Sequence, residues 1–140
     1  MTEGARVVAR FLDGRLLKGY TRNFDPQKPV FELFEWGFDD RVEPVHVKVR
    51  ELKTLFFVRS FNGNATRADR KEFEGPFAGK RLSVEFLDGE VMVGTTFGYD
   101  AARDGFFFFP ADAASNNQKV YVNGAAVKQI TNLPRGTKIA

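Results

Sequence analysis

The chain of 140 residues contains no cysteine, one histidine, one tryptophan and two methionines. Without cysteine there is no disulfide framework, no thiolate nucleophile and no cysteine-ligated zinc. The lone histidine, His46, has no second histidine or carboxylate cluster to share a metal with, and no evident acid–base partner. No apolar run approaches the roughly 18 to 20 residues that span a bilayer. The opening Met1-Thr2-Glu3-Gly4-Ala5-Arg6 lacks the basic-then-apolar order of a signal peptide, so a cytoplasmic protein with no membrane partner is expected. Charge of one sign is also scarce. Lys and Arg number 21 against 18 Asp and Glu, a net of +3, and the two signs alternate along the chain. That reads as a mixed surface rather than a phosphate-tracking face. No phosphate-cradling glycine loop or dinucleotide fingerprint occurs, and no cofactor or metal is expected.

What is abundant is phenylalanine, 16 residues, in a chain that is 43% hydrophobic. Its distribution follows an internal repeat. Arg10-Phe11-Leu12-Asp13-Gly14-Arg15 returns as Glu85-Phe86-Leu87-Asp88-Gly89-Glu90, a shift of 75 residues. The same ungapped register aligns Arg6 with Arg81, Gly19 with Gly94, Thr21 with Thr96, Asp25 with Asp100 and Phe31 with Phe106. It continues through Val45 with Val120, Val47 with Val122 and Lys53 with Lys128, giving 12 identities over the 50 positions from Arg6 to Leu55. Unrelated segments would give roughly 3. Two copies of one module follow: residues 1–61, a connecting segment 62–78 with room for a short helix from Asn64 toward Gly75, and residues 79–140.

Within each copy the hydrophobic period is two, the sign of strands. Asp13-Gly14 and Asp88-Gly89 supply hairpin turns, and turn chemistry accounts for these acids without a catalytic role. Gly19 and Gly94 lie inside strands, where a missing side chain permits a bend. Phe24-Asp25-Pro26-Gln27-Lys28-Pro29 is a turn. Five strands are expected in the first copy: Arg6–Leu12, Leu16–Thr21, Val30–Phe34, Val45–Val49 and Thr54–Val58. The second repeats them as Leu82–Phe86, Glu90–Thr96, Gly105–Pro110, Gln118–Val122 and Lys128–Leu133. The expected fold class is all-β, two tandem five-stranded, strongly bent barrels.

The run Val-x-Phe-Leu-Asp-Gly-Arg, a strand ending in Gly, an aromatic followed by Asp, and an apolar strand resembles the first motif of Sm and Sm-like proteins. Val120-Tyr121-Val122-Asn123-Gly124-Ala125-Ala126-Val127-Lys128-Gln129-Ile130 is similar to the second. The tandem arrangement also resembles bacterial proteins built from two such lobes. The resemblance implies small bent barrels that assemble through edge strands four and five and often bind uridine- or adenine-rich RNA. The family's base-contacting Asn after the motif Asp is absent here, where Pro26-Gln27-Lys28-Pro29 and Ala101-Ala102-Arg103-Asp104 stand. Its Arg-Gly pair is replaced by Lys48-Val49 and Asn123-Gly124.

Phe106-Phe107-Phe108-Phe109 is the anomaly, because a strand with one wet face should alternate with polar residues. Together with Phe56 and Phe57 it marks a core or an interface, with base stacking as the alternative. His46, aligned with Tyr121, is expected at a surface or groove. Asp100-Ala101-Ala102-Arg103-Asp104-Gly105 fails as a calcium loop at its third and twelfth positions. Ser115-Asn116-Asn117 has no base beside it for nucleophilic catalysis and reads as a loop cap. The spacing of Arg67 and Arg70, and of Asp112 and Ser115, does not fit a PilZ-type cyclic-dinucleotide receptor, so that ligand is not expected.

The sequence therefore predicts a non-enzymatic binding or assembly module acting through edge strands and aromatic contacts, with self-association or a protein partner first. The alternative is single-stranded RNA bound by Lys28, Lys48, Arg67, Arg70, Arg103 and Asn123.

Overall fold

Ten antiparallel strands carry the chain in a computed structural model that describes residues 4–22, 24–38, 41–61, 79–97, 104–111 and 115–133. The expected linker helix within 62–78, together with Arg67, Arg70, Arg103, Asp100 and the tail from 134, lies outside the described residues. The strands of the first repeat are β1 (Ala5–Phe11), β2 (Leu16–Thr21), β3 (Val30–Leu33), β4 (Val45–Lys48) and β5 (Leu52–Val58). Those of the second are β6 (Lys80–Phe86), β7 (Val91–Thr96), β8 (Gly105–Pro110), β9 (Asn117–Asn123) and β10 (Val127–Asn132). A 3-10 turn joins the last two strands of each repeat, at Val49–Glu51 and Gly124–Ala126.

Each expected strand is present within two residues at either end, and the fold is all-β. The Asp-Gly hairpins have a common geometry. Gly14 and Gly89 both take φ +92°, while among the described residues no non-glycine has positive φ, so only the glycine of each turn is left-handed. Asp13 Oδ1 accepts from the Arg15 amide at 3.0 Å, and Asp88 Oδ1 from the Glu90 amide at 3.0 Å. Asp25 does the same for the Gln27 amide at 2.9 Å and sets the turn before β3. At Gly19 a Cβ would lie 2.7 Å from the Phe34 carbonyl oxygen, and at Gly94 it would collide with the Phe109 carbonyl. These two glycines let the second strand of each repeat approach the third.

The barrels expected from the sequence do not close. Eight strands form one sheet in the order β10-β6-β7-β8-β9-β5-β1-β2, and β3-β4 form a second pair. A bridge between Tyr20 and Phe34, two amide–carbonyl bonds of 2.9 Å, joins β2 to the end of β3. Among the described strands, β4 does not pair with β5, nor β9 with β10. The physical reason is that the edge of β5 that would close the first repeat is occupied by β9 of the second, in antiparallel register with Leu55 opposite Tyr121 and Phe56 opposite Val120. Among the described strands, the path thus begins and ends on two edges without a neighbouring strand, β10 and β4.

The β5–β9 seam separates two apolar clusters. Alternate residues of β5 point to opposite sides. Leu55 and Phe57 enter a cluster with Val7, Phe31, Leu33, Leu52 and Tyr121. Phe56 and Val58 enter another with Leu82, Val84, Phe86, Phe106, Phe108 and Val122. All seven residues of β5 are buried. The Phe106–Phe109 run has the same cause: Phe106 and Phe108 face the second cluster while Phe107 packs on the first. Phe109 meets Phe97 edge to face, with ring centroids 5.8 Å apart. Burying a phenylalanine side chain is worth about 1.5–3 kcal/mol, against about 0–1 for an exposed ion pair. The aromatic residues therefore dominate the seam.

Candidate functional site

Polar staples fix the two ends of the seam. At one end the Asn116 side chain accepts from the Ser60 amide at 3.0 Å and donates to the Ser60 carbonyl at 2.8 Å. At the other, the Asn123 amide donates to the carbonyls of Leu52 at 2.8 Å and Arg50 at 3.3 Å, while its oxygen accepts from the Ala125 amide at 3.1 Å. Between them sits a charged cluster. Lys53, only 5% exposed, extends from β5 to Asp88 at 2.6 Å and Glu90 at 2.5 Å, over the Phe86 ring. Arg10 reaches the same Glu90 carboxylate at 3.0 Å.

Beyond the Asn123 staple the repeats enclose a groove of about 980 Å³. One wall is the turn Pro26–Pro29 with Lys48, Val49 and Arg50 at the end of β4. The other is the open edge of β10, Val127 to Ile130, with Asp104 at the rim and the aromatic side chains of Phe106 and Tyr121 also lining it. Burial, and secondarily the nearby Asp104 carboxylate, pushes the Tyr121 hydroxyl above its ordinary pKa of 10.0 and keeps it a neutral donor. Four cations, Lys28, Lys48, Arg50 and Lys128, border this groove against one acid, Asp104. Among the described residues, Lys128 alone of these has an ion-pair partner, Glu85 at 3.6 Å.

Of the residues expected to contact nucleic acid, Lys28, Lys48 and Asn123 meet here. Asn123 is 7% exposed and its amide is committed to the staple, so it holds the groove wall. Arg67, Arg70 and Arg103 lie outside the described residues. Phe56, Phe57, Phe106 and Phe108 are buried within this chain. Phe107 also packs inside, under Lys119, whose ammonium lies 4.9 Å from its ring centroid. His46 is exposed on β4, 3.7 Å from Glu32. Sequence reasoning did not name Arg50 or Lys128 as contacts: Arg50 lies in no motif, and Lys128, though inside the second motif and matched to Lys53 by the repeat, reaches the groove only through the fold. The repeat did hold one signal, because Asn123 and Lys48 occupy equivalent positions.

Among the described residues no group of three His, Asp or Glu side chains could hold a metal ion, and no helix is long and apolar enough to cross a membrane. A family model for a family of unknown function, DUF6982, matches residues 3–134. The chain belongs to that family. No curated protein and no solved structure matches it. The family match spans both repeats and the segment between them, so the duplication lies within the family's own unit.

Proposed function

We propose that this chain is a non-enzymatic, Sm-like binding and assembly module that acts in the cytoplasm by adding strands at its open edges. The observation that carries this reading is the seam itself. β9 is the fourth strand of its repeat and β5 the fifth strand of the other, and they pair along their length. Among the described strands, the remaining fourth and fifth strands, β4 and β10, have no strand on their outer side. The amide of Leu133, just past β10, donates to the Arg81 carbonyl of β6, so alternation turns the amides of Ile130 and Asn132 outward, available to a further strand.

Light scattering across a concentration series tests this. The mass should rise with concentration, and Asn132→Pro, which removes an outward donor without touching β6 pairing, should suppress the rise. Association that Asn132→Pro leaves unchanged would sink the reading.

Single-stranded RNA in the groove is a second reading, favoured by Lys28, Lys48 and Arg50, which have no ion-pair partner among the described residues. Its test is fluorescence anisotropy of labelled single-stranded RNA. Binding should weaken with salt in proportion to about 0.7 times the phosphates neutralised, and Lys48→Ala with Arg50→Ala should lower that slope. Salt-independent anisotropy removes it.

A further inference from the structure

We infer that the chain carries a second, separate ligand site: a cationic, aromatic-floored pocket at the Ser60–Asn116 end of the seam that takes a small organic anion, an aromatic ring bearing a carboxylate or a phosphate. The site shares no described lining residue with the groove and does not depend on edge pairing.

Two adjoining spaces of about 190 and 430 Å³ open there, with Gly4, Ala5, Phe57 and Lys119 on the walls of both. Strand register builds them. Phe57 of β5 lies opposite Lys119 of β9, and Ala5 of β1 lies opposite Thr21 of β2. Phe24, Phe57 and Phe107 supply the floor of the smaller space, with the Phe24 ring centroid 5.9 Å from that of Phe57 and 6.2 Å from that of Phe107. Such a floor suits an apolar body with few polar contacts of its own.

Every charged residue among the described ones on these walls is a cation: Arg6, Arg22 and Lys119. The Lys119 ammonium rests 4.7 Å from the Phe57 ring centroid and 4.9 Å from that of Phe107, and has no ion-pair partner among the described residues. The Arg22 guanidinium lies 4.2 Å from the Phe38 ring centroid and likewise has no carboxylate partner among the described residues. Arg6 gives one hydrogen bond, to the Arg59 carbonyl at 3.2 Å. Ring faces orient a cation without neutralising it, so its charge stays available to an anion.

A buried hydroxyl gives an independent indication. Thr21 lines the smaller space and is 2% exposed, and its Oγ1 has no hydrogen-bond partner among the described residues. Buried hydroxyls are nearly always paired, so this is the position where an incoming acceptor gains most. The repeat provides an internal control. Thr96, the counterpart of Thr21, donates to the Phe107 carbonyl at 2.7 Å. The matching acceptor for Thr21, 75 positions earlier, is the Glu32 carbonyl, and that bond is not made. Phe97 stands where the first repeat has Arg22. The paired hydroxyl is thus followed by an apolar residue and the unpaired one by a cation. Donors and cations on the walls call for an anionic acceptor as the head group, and the phenylalanines call for an aromatic body.

Amide NMR spectra of the full chain, titrated with phenylpropionate, phenyl phosphate, phenylpropanol and inorganic phosphate, test the site. The two aromatic acids should give saturable shifts at Thr21, Arg22 and Lys119, and the tighter of them assigns the head group. The uncharged alcohol and the ring-free phosphate should each bind about tenfold more weakly. Lys119→Met, which keeps the apolar stem over the rings, should weaken the acids about tenfold. Thr21→Val should weaken them about fivefold while raising the melting temperature, whereas a purely structural hydroxyl would move the melting temperature alone. Unchanged affinity in Thr21→Val, an alcohol that binds as tightly as the acids, or no saturable shift with either acid would overturn the proposal. Shifts confined to Lys48–Arg50 and Gly124 would place the anion in the groove and overturn it as well. None of these outcomes bears on whether the strand edges pair.

Discussion

The ammonium of Lys53 lies 2.6 Å from a carboxylate oxygen of Asp88, across the seam between the repeats. The two partners are unequal: the Lys53 side chain is 7% exposed and that of Asp88 57%. Removing the cation leaves carboxylates that water can solvate. Removing the carboxylates leaves a buried charge. Lys53→Met should therefore cost no more than about 1 kcal/mol, and the double variant Asp88→Asn, Glu90→Gln about 2–3. Urea denaturation of both checks the ordering.

The same contact makes the seam sensitive to acid. The Lys53 ammonium first, then the Glu90 amide, hold the Asp88 carboxyl below its ordinary value of 3.8. A carboxyl whose folded pKa is lowered contributes stability above its unfolded pKa and loses it as pH falls through the folded value. Stability should fall more steeply below about pH 4 in the wild type than in Asp88→Asn. Thermal melts over that range measure the difference.

The asparagine at the groove end is structural. Asn123→Ala would orphan the Leu52 carbonyl and the Ala125 amide and should cost about 1–3 kcal/mol. Its repeat counterpart Lys48 is exposed, and Lys48→Ala should stay within about 0.5 kcal/mol. Chemical denaturation of the pair distinguishes a staple from a surface residue.

Thr54 lies mid-seam, fully buried and opposite Val122, and its hydroxyl has no hydrogen-bond partner among the described residues. Valine keeps the shape and removes the unmet polar atom. Thr54→Val should stabilise the chain by about 1 kcal/mol, read as a raised melting temperature. A destabilised variant would mean that the hydroxyl is satisfied in solution.

The strands were legible because period-two alternation and the Asp-Gly turns are local properties, and the 75-residue repeat let each copy check the other. Phe106–Phe109 announced a strand buried on both faces, which the two clusters account for. Pairing between copies was implied only by the family resemblance, through edge strands four and five, and not by any local pattern. Nothing local to Leu52–Val58 states that Asn117–Asn123 will lie beside it, and closure of each barrel was the natural expectation. For the same reason Arg50 and Lys128, 78 positions apart, could not be seen to share a groove with Lys28 and Lys48.

Because β5 and β9 belong to one polypeptide, their pairing is a unimolecular event whose extent dilution cannot change. Had the repeats been separate molecules, the same contact would have followed protein abundance. Fusion thus converts one joint into a permanent feature at any expression level. Among the described strands, the edges β10 and β4 are where, on the proposed reading, the amount of protein would set how much structure forms.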